Sequence, residues 1–139
     1  MGNKAIITTE DKKIGIYLHW NGGRDSVEGF LTYCKLKGYR TPETDNYGWA
    51  RLCQVIGNFF GGDLSIGIDI YEAMDTNNGD NGVYIIKNWE IVDREFFTGE
   101  EQQSCSLEDM LIGINEAQPP KEQLNEQEML VQAGLAPSF

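Results

Sequence analysis

The sequence predicts an α+β domain in which a mainly antiparallel five-stranded sheet carries about three helices on one face. Five short segments have the alternating or continuous apolar pattern of strands, and three longer segments repeat apolar residues at helical spacing. Their order along the chain, ββααβββα, groups strands with strands instead of alternating them with helices, which is typical of α+β folds. With 139 residues and 40% hydrophobic content, the chain can bury one substantial core.

The first two strands are predicted at residues 4–9 and 13–20, on either side of the polar turn Glu10-Asp11-Lys12. The second segment alternates apolar with polar side chains, which is the pattern of a strand with one buried face. Its apolar face contains Ile14, Ile16 and Leu18. The short connection predicts that the two strands form a hairpin.

Two amphipathic helices are predicted next. The first begins at Asp25, which precedes Glu28 with capping-box spacing, and stops at Gly38. The second covers residues 45–60 and ends at Gly61-Gly62. Helical spacing places their apolar stripes at Val27, Phe30, Leu31 and Cys34, and at Trp49, Leu52, Cys53, Ile56 and Phe59.

Three more strands are predicted at residues 64–72, 83–87 and 89–97, and we expect them to form an antiparallel meander. The polar segment 75–82 contains two Asn-Gly pairs and reads as a plain hairpin loop. A third helix begins near Ser106, which has Asp109 three residues later. Its buried stripe is predicted to contain Leu107, Met110, Leu111 and Ile114.

A boundary is predicted at Pro119-Pro120, because proline cannot continue a helix. Residues 1–118 would then form a single α+β domain. Residues 119–139 would form a polar C-terminal tail, helical around 122–132, that docks on a partner or on a neighbouring subunit in a homo-oligomer.

The formal net charge of −11 and pI near 4.4 argue against direct binding of nucleic acid, because such a surface repels phosphates. Three interpretations stay open. The charge indicates solubility by self-repulsion, attraction to a basic groove on a partner protein in imitation of nucleic acid, or cation binding. The sequence shows neither a membrane-span pattern nor a signal-peptide pattern, and its three cysteines are expected to be reduced and mostly buried. These features predict a cytoplasmic protein.

The junction between the second strand and the first helix is the first candidate ligand site. A strand-to-helix turn can present backbone N–H groups to an anion at the positive end of the helix dipole. An arginine could clamp such an anion and a tryptophan could stack on it. The residues assigned to this site are His19, Trp20, Asn21, Gly22, Gly23 and Arg24. The alternative is a glycine turn with a solvated Arg24.

A second candidate wall is formed by Arg40, Tyr47 and Arg51, near the start of the second predicted helix. Planar guanidinium groups bind phosphate and stack on aromatic rings, and they are scarce in this acidic chain. Together with the first loop, these residues are predicted to line one pocket for a nucleotide-like anion. The alternative is that Trp49 belongs to the core and Arg51 pairs with local acids.

Neither catalysis nor a resident cofactor is expected. His19 is the only histidine, so a His-rich metal site is excluded, and no catalytic motif accompanies it. The segment 75–82 matches a calcium loop at only two positions, Asp75 and Asn77, and lacks the glutamate at the twelfth. No catalytic or metal-ligating residue is therefore assigned.

The start Met1-Gly2-Asn3-Lys4-Ala5-Ile6-Ile7 and the segment Tyr17-Leu18-His19-Trp20-Asn21-Gly22-Gly23 resemble a group of short proteins carried by bacteriophages, prophages and integrative elements. Those proteins share a Met-Gly-x-Arg-like start and a Tyr-x-His-Trp/Phe-Asp/Asn-Gly segment before an amphipathic helix. Here Lys4 replaces the common arginine and Asn21 the common aspartate. The resemblance covers the first third of the chain and implies a mobile-element origin, in which small acidic proteins often counter host defence.

The leading hypothesis is a non-enzymatic accessory protein that counteracts a bacterial defence system by binding. Its acidic surface would occupy the nucleic-acid groove of a host defence protein that has a basic surface. One alternative is a sponge that sequesters a small phosphorylated nucleotide signal in the Arg/aromatic pocket. A second alternative is a nucleotide-acting enzyme with His19 as its base, and a third is an assembly subunit whose tail docks on neighbours.

Overall fold

The computed structural model describes residues 3–137, which form one five-stranded sheet and four α-helices. The strands are β1 (Ala5–Thr9), β2 (Ile14–Leu18), β3 (Ile66–Ile70), β4 (Val83–Lys87) and β5 (Glu90–Glu95). The helices are α1 (Arg24–Leu36), α2 (Asn46–Phe60), α3 (Leu107–Ala117) and α4 (Glu126–Gln132). Single 3₁₀ turns occupy Tyr71–Ala73 and Pro120–Glu122. Met1 and Gly2 of the resemblance motif, and Ser138 and Phe139 of the predicted tail, lie outside the described residues.

The α+β class and the five strands are confirmed, but the sheet is mixed. Its strand order is β3-β2-β1-β4-β5, and β1 runs antiparallel to β2 and parallel to β4. The predicted hairpin of β1 and β2 is therefore correct. The predicted meander of the last three strands is wrong, because β3 pairs with β2 and only β4 and β5 form a hairpin.

The position of β1 at the centre of the sheet explains this correction. All five of its residues are buried, so the strand has neighbours on both edges and cover on both faces. The segment 71–82 is too long for a tight hairpin and passes under the sheet instead. There Tyr71 and Met74 pack on Ile6, Val83 and Ile85, on the face opposite the helices. The chain consequently enters β4 on the far side of β1.

The main core lies between the other face of the sheet and the helices. The apolar stripe predicted for α1 is buried, as are Leu52 and Ile56 of α2 and Met110, Leu111 and Ile114 of α3. The predicted cap of α1 is wrong: Gly23 is the N-cap and Asp25 lies in the first turn. Asp45 and Ser106 do cap α2 and α3 through their side chains. All three cysteines are free thiols, although Cys105 is exposed.

The fourth helix, α4, accounts for the difference from the three helices predicted. Met129 and Leu130 of α4 are buried in the same core as the sheet and α1. Asn115 of α3 fixes the intervening segment, since its side chain accepts from Leu124 N (2.8 Å) and donates to Leu124 O (2.8 Å). Docking of this segment on a partner or on a second subunit stays a prediction. In the part of the chain described, every helix is too short or too polar to cross a bilayer.

Candidate functional site

The structure places the sequence-predicted site residues in two groups at opposite ends of α1. Arg24 opens the helix, whereas Arg40 follows its last turn. The helix has 13 residues, which corresponds to about 20 Å of axial rise. The single pocket expected from the sequence is therefore two separate surfaces, one at the strand-to-helix turn and one at the start of α2.

In the strand-to-helix turn, the backbone groups of Gly22 are already bonded within the fold. Gly22 N–H donates to Asn3 O (2.9 Å), and Gly22 O accepts from the buried Tyr84 hydroxyl (2.7 Å). A Cβ at position 22 would meet Asn3 O and Ala5 Cβ, so glycine is required for this close approach. Asn21 precedes it with a φ of 56°. The glycine thus serves to anchor the turn against β1.

The start of α1 is covered by the segment before α3. Asp25 N–H donates to Gln102 O (3.1 Å), and a Cβ on Gly23 would contact the Gln102 side chain. The buried Asp25 carboxylate accepts from Ser26 N–H (2.7 Å) and Cys105 N–H (3.0 Å). A carboxylate of the chain itself therefore occupies the positive end of the helix dipole, where an external anion was expected.

Arg24 belongs to an ion-pair network that sequence reasoning missed. Its guanidinium donates to Glu28 (2.6 Å) and to Glu101 (2.9 Å), and Glu101 also accepts from Arg94 (2.5 Å). The Arg94 guanidinium carbon lies 3.9 Å from the ring centroid of Tyr84 and 4.0 Å from that of Phe97. Burial opposes ionisation of Glu101, but the hydrogen bonds from Arg94 and Arg24 outweigh it and lower the pKa of this carboxyl.

His19 and Trp20 lie at the end of β2. The Nδ1 atom of His19 is hydrogen-bonded with the Tyr17 hydroxyl at 2.9 Å. The rings of His19 and Trp20 pack edge to face, with their centroids 5.0 Å apart. Burial, together with the negative charges of Asp80 and Asp75, raises the pKa of Tyr17. The Tyr17 hydroxyl therefore stays protonated at neutral pH.

Arg40, Tyr47 and Arg51 do come together, as predicted for the second group. They line an open cavity of about 430 Å³ with Gly38 and Tyr39. The two guanidinium carbons lie 5.9 Å and 5.8 Å from the Tyr47 ring centroid. Arg40 is held by Asp45 at 2.7 Å, whereas Arg51 forms no ion pair with any residue in the range 3–137. The cavity thus presents one arginine that has no ion pair with the described residues, beside an exposed aromatic ring.

A third surface, absent from the predicted site, follows the outer edge of β3. Ile68 and Ile70 are 60% and 57% exposed there. On the face of β3 that carries Asp69, a cavity of about 260 Å³ is lined by Asp69 and Asp75 together with Tyr17, Gly67, Ile68 and Met74. We call β3 and the carboxylates of Asp69, Glu72 and Asp75 the acidic edge. The alternation Ile-Gly-Ile-Asp-Ile was a signal for the strand, but its position at the sheet edge depends on tertiary pairing.

In the described part of the chain, most basic side chains form ion pairs, but none of these pairs involves the carboxylates of the acidic edge. Within residues 3–137, ion pairs occupy seven of the eleven Lys and Arg side chains. The carboxylates of the acidic edge take part in none of them. The same part of the chain contains no group of His, Cys, Asp and Glu arranged to hold a metal ion.

No protein-family model, curated protein or solved structure matches the chain.

Proposed function

We propose that this protein is a non-enzymatic accessory protein of a phage or mobile element that acts by binding. Its acidic surface occupies the nucleic-acid groove of a host defence protein that has a basic surface. The observation that carries the proposal is the acidic edge, where Asp69, Glu72 and Asp75 are exposed and form no ion pair with the described residues. Exposed carboxylates without ion pairs attract the cationic side chains of a basic groove.

The first test of this function is phage plating on bacterial strains that each carry one defence system. Expression of the full chain should raise the plating efficiency on at least one of these strains. The triple variant Asp69→Asn/Glu72→Gln/Asp75→Asn should reduce that effect. A matched variant, Glu100→Gln/Glu116→Gln/Glu128→Gln, removes the same charge from exposed positions elsewhere and should retain it.

The second test uses the purified defence protein from the rescued strain. Its association with the chain should weaken at least tenfold between low and high salt, because the attraction is between charged surfaces. The variant Arg51→Ala should leave the affinity unchanged, since Arg51 lies at the start of α2 and not at the acidic edge. Unchanged plating on every strain, or salt-independent association, would contradict the proposal.

The cavity of Arg40, Tyr47 and Arg51 favours a second candidate function, sequestration of a small phosphorylated nucleotide. A volume of about 430 Å³ is sufficient for such a ligand, and Arg51 together with the Tyr47 ring could hold a phosphate and a base. Calorimetric titration with mono-, di- and cyclic nucleotides would then show saturable heat. Arg51→Ala should abolish that heat and Arg51→Lys should weaken it, whereas Arg24→Ala, at the far end of α1, should not affect it.

A further inference from the structure

We propose that β3 binds an extended segment of the target protein as a sixth strand, and that this segment alternates apolar with basic residues. The inference rests on the proposed function for the kind of partner, and it adds the binding mode and the chemistry of the segment. It depends on three features of the acidic edge: open backbone groups, an apolar face and a carboxylate face.

The backbone hydrogen bonds between β2 and β3 show which groups of β3 point outward. His19 N–H donates to Ser65 O and Tyr71 N–H donates to Lys13 O, both at 2.9 Å. In an antiparallel pair such bonds recur at every second residue, so positions 65, 67, 69 and 71 are bonded toward β2. The N–H and C=O groups of Ile66, Ile68 and Ile70 therefore point to the open edge. Of these groups, only Ile70 N–H has a partner elsewhere within residues 3–137, namely Asp69 Oδ1 at 2.7 Å.

The isoleucine side chains of β3 form an incompletely covered apolar row. Ile66 packs against the main core, and Ile16 and Ile14 of β2 lie directly across from Ile68 and Ile70. The helices do not extend over the outer two, which leaves more than half of each side chain exposed. Apolar side chains of an added strand would lie next to this row and remove it from water, because neighbours across a sheet share a face.

The opposite face of β3 selects for basic residues at the alternate positions. Gly67 leaves space beside Asp69, and the cavity there is bounded by Tyr17, Met74 and Asp75. A Lys or Arg side chain of an added strand would pass its methylene groups over Tyr17 and Met74 and bring its charge to the two carboxylates. The chemistry of the two faces thus specifies a strand with apolar residues on one side and cations on the other.

The same charges disfavour a second copy of this chain as the occupant. Two copies paired through β3 would bring together the carboxylates of Asp69, Glu72 and Asp75 from both, on molecules that each carry a net charge of −11. Acidic groups along an edge strand are a known means of preventing edge-to-edge self-association. A basic segment instead converts this repulsion into attraction.

The test uses the full chain and a synthetic peptide that alternates Lys and Val over eight residues, with blocked ends. Two N-methylated isomers, one methylated on every Val and one on every Lys, have the same charge but lack opposite sets of N–H donors. Addition of a strand predicts that one isomer binds at least tenfold more weakly than the parent and the other binds like it. Methylation of Val is harmful if the added strand is antiparallel, and methylation of Lys is harmful if it is parallel.

Nuclear magnetic resonance of the labelled chain locates the peptide. Bound peptide should slow hydrogen exchange at the amides of Ile66 and Ile68, and Asp69→Asn/Glu72→Gln/Asp75→Asn should weaken the affinity while the Glu100/Glu116/Glu128 control variant does not. Equal binding of both isomers would overturn strand addition and leave the charge-based function standing. Absence of binding would also overturn the inference. A dimer that Ile68→Lys disrupts would assign the edge to a second copy instead.

Discussion

At the scale of single residues, Arg94 is expected to contribute more to the stability of the fold than its position in an edge strand suggests. Its side chain is only 12% exposed and lies between the rings of Tyr84 and Phe97. Its guanidinium donates hydrogen bonds to the Glu101 carboxylate and to Asn81 O (2.7 Å). Its Nε atom is buried without a hydrogen-bond partner in the described structure. The guanidinium therefore stabilises the folded protein by packing on two rings and by forming an ion pair with Glu101, while one of its buried N–H donors stays unsatisfied.

We expect Arg94→Ala to lower the free energy of unfolding by about 2–3 kcal/mol, because the substitution opens a void between two rings and deprives Glu101 of its main partner. Urea denaturation at pH 7 measures this change. Arg51→Ala is the matched control and should cost less than about 0.5 kcal/mol, since Arg51 has no ion pair within residues 3–137. Equal losses for the two variants would contradict the role assigned to Arg94.

Glu101 should make stability depend on acid pH. Its pKa is lowered in the folded state, so its contribution is complete above the ordinary carboxyl pKa of 4.5 and is lost as the pH falls through the lower, folded value. Glu101→Gln should therefore destabilise the protein at pH 7, and the difference from wild type should narrow as the pH falls below about 4.5. Denaturation curves of both proteins between pH 7 and pH 3 provide the comparison. A difference that stays constant across this range would exclude the assigned cause.

At the residue scale, the sequence predicted the pairing of Arg40 with Tyr47 and Arg51, because all three lie close together around one helix start. It did not predict the ion pair of Arg24 with Glu101. Glu101 is 77 residues away, and no local pattern relates the two. The pairing of a charged side chain depends on which distant segment the fold brings beside it.

At the scale of elements, local pattern was sufficient for helix and strand positions but not for strand order. The hydrophobic spacing predicted α1, α2, α3 and both hairpins formed by consecutive strands. The parallel contact between β1 and β4 has no short-range signal, since it joins Ile6 to Val83. The continuous apolar run Ala5-Ile6-Ile7, typical of a strand buried on both faces, was the available indication that β1 is central.

The short helix α4 is expected to contribute to the stability of the whole core. Leu130 is buried against that core, whereas Leu64, before β3, is 95% exposed. Leu130→Ala should lower the free energy of unfolding by about 2–4 kcal/mol, and Leu64→Ala by less than about 0.5 kcal/mol. Urea denaturation with fluorescence and far-ultraviolet circular dichroism should show one cooperative transition for both. A loss below about 1 kcal/mol for Leu130→Ala would instead indicate a loosely attached helix.

At the scale of the whole molecule, the surplus of carboxylates opposes the compact state. The chain has 22 acidic and 11 basic side chains, and ion pairs already occupy most of the basic ones. Repulsion among the remaining carboxylates is therefore not compensated at the surface, and dissolved salt screens it over a distance of about 10 Å at 0.1 M. Binding of a basic protein, as proposed above, would relieve the same repulsion.

We expect the melting temperature to rise by a few degrees, roughly 2–5 °C, when sodium chloride increases from low concentration to about 0.5 M, because screening relieves this repulsion. Differential scanning calorimetry measures the shift. The variant Glu100→Gln/Glu116→Gln/Glu128→Gln has three fewer negative charges and should show a smaller rise. A melting temperature that falls with salt would mean that the ion pairs outweigh the surplus charge.

The central position of β1 also determines when the protein can fold as it is synthesised. The hairpin of β1 and β2 is complete within the first 18 residues, but the other side of β1 stays open until β4, ending at Lys87, has left the ribosome. Closing a loop of this length makes the pairing of β4 with β1 slow relative to helix formation. A nascent chain stalled before β4 would therefore expose an apolar strand edge, and would be a natural client for a chaperone.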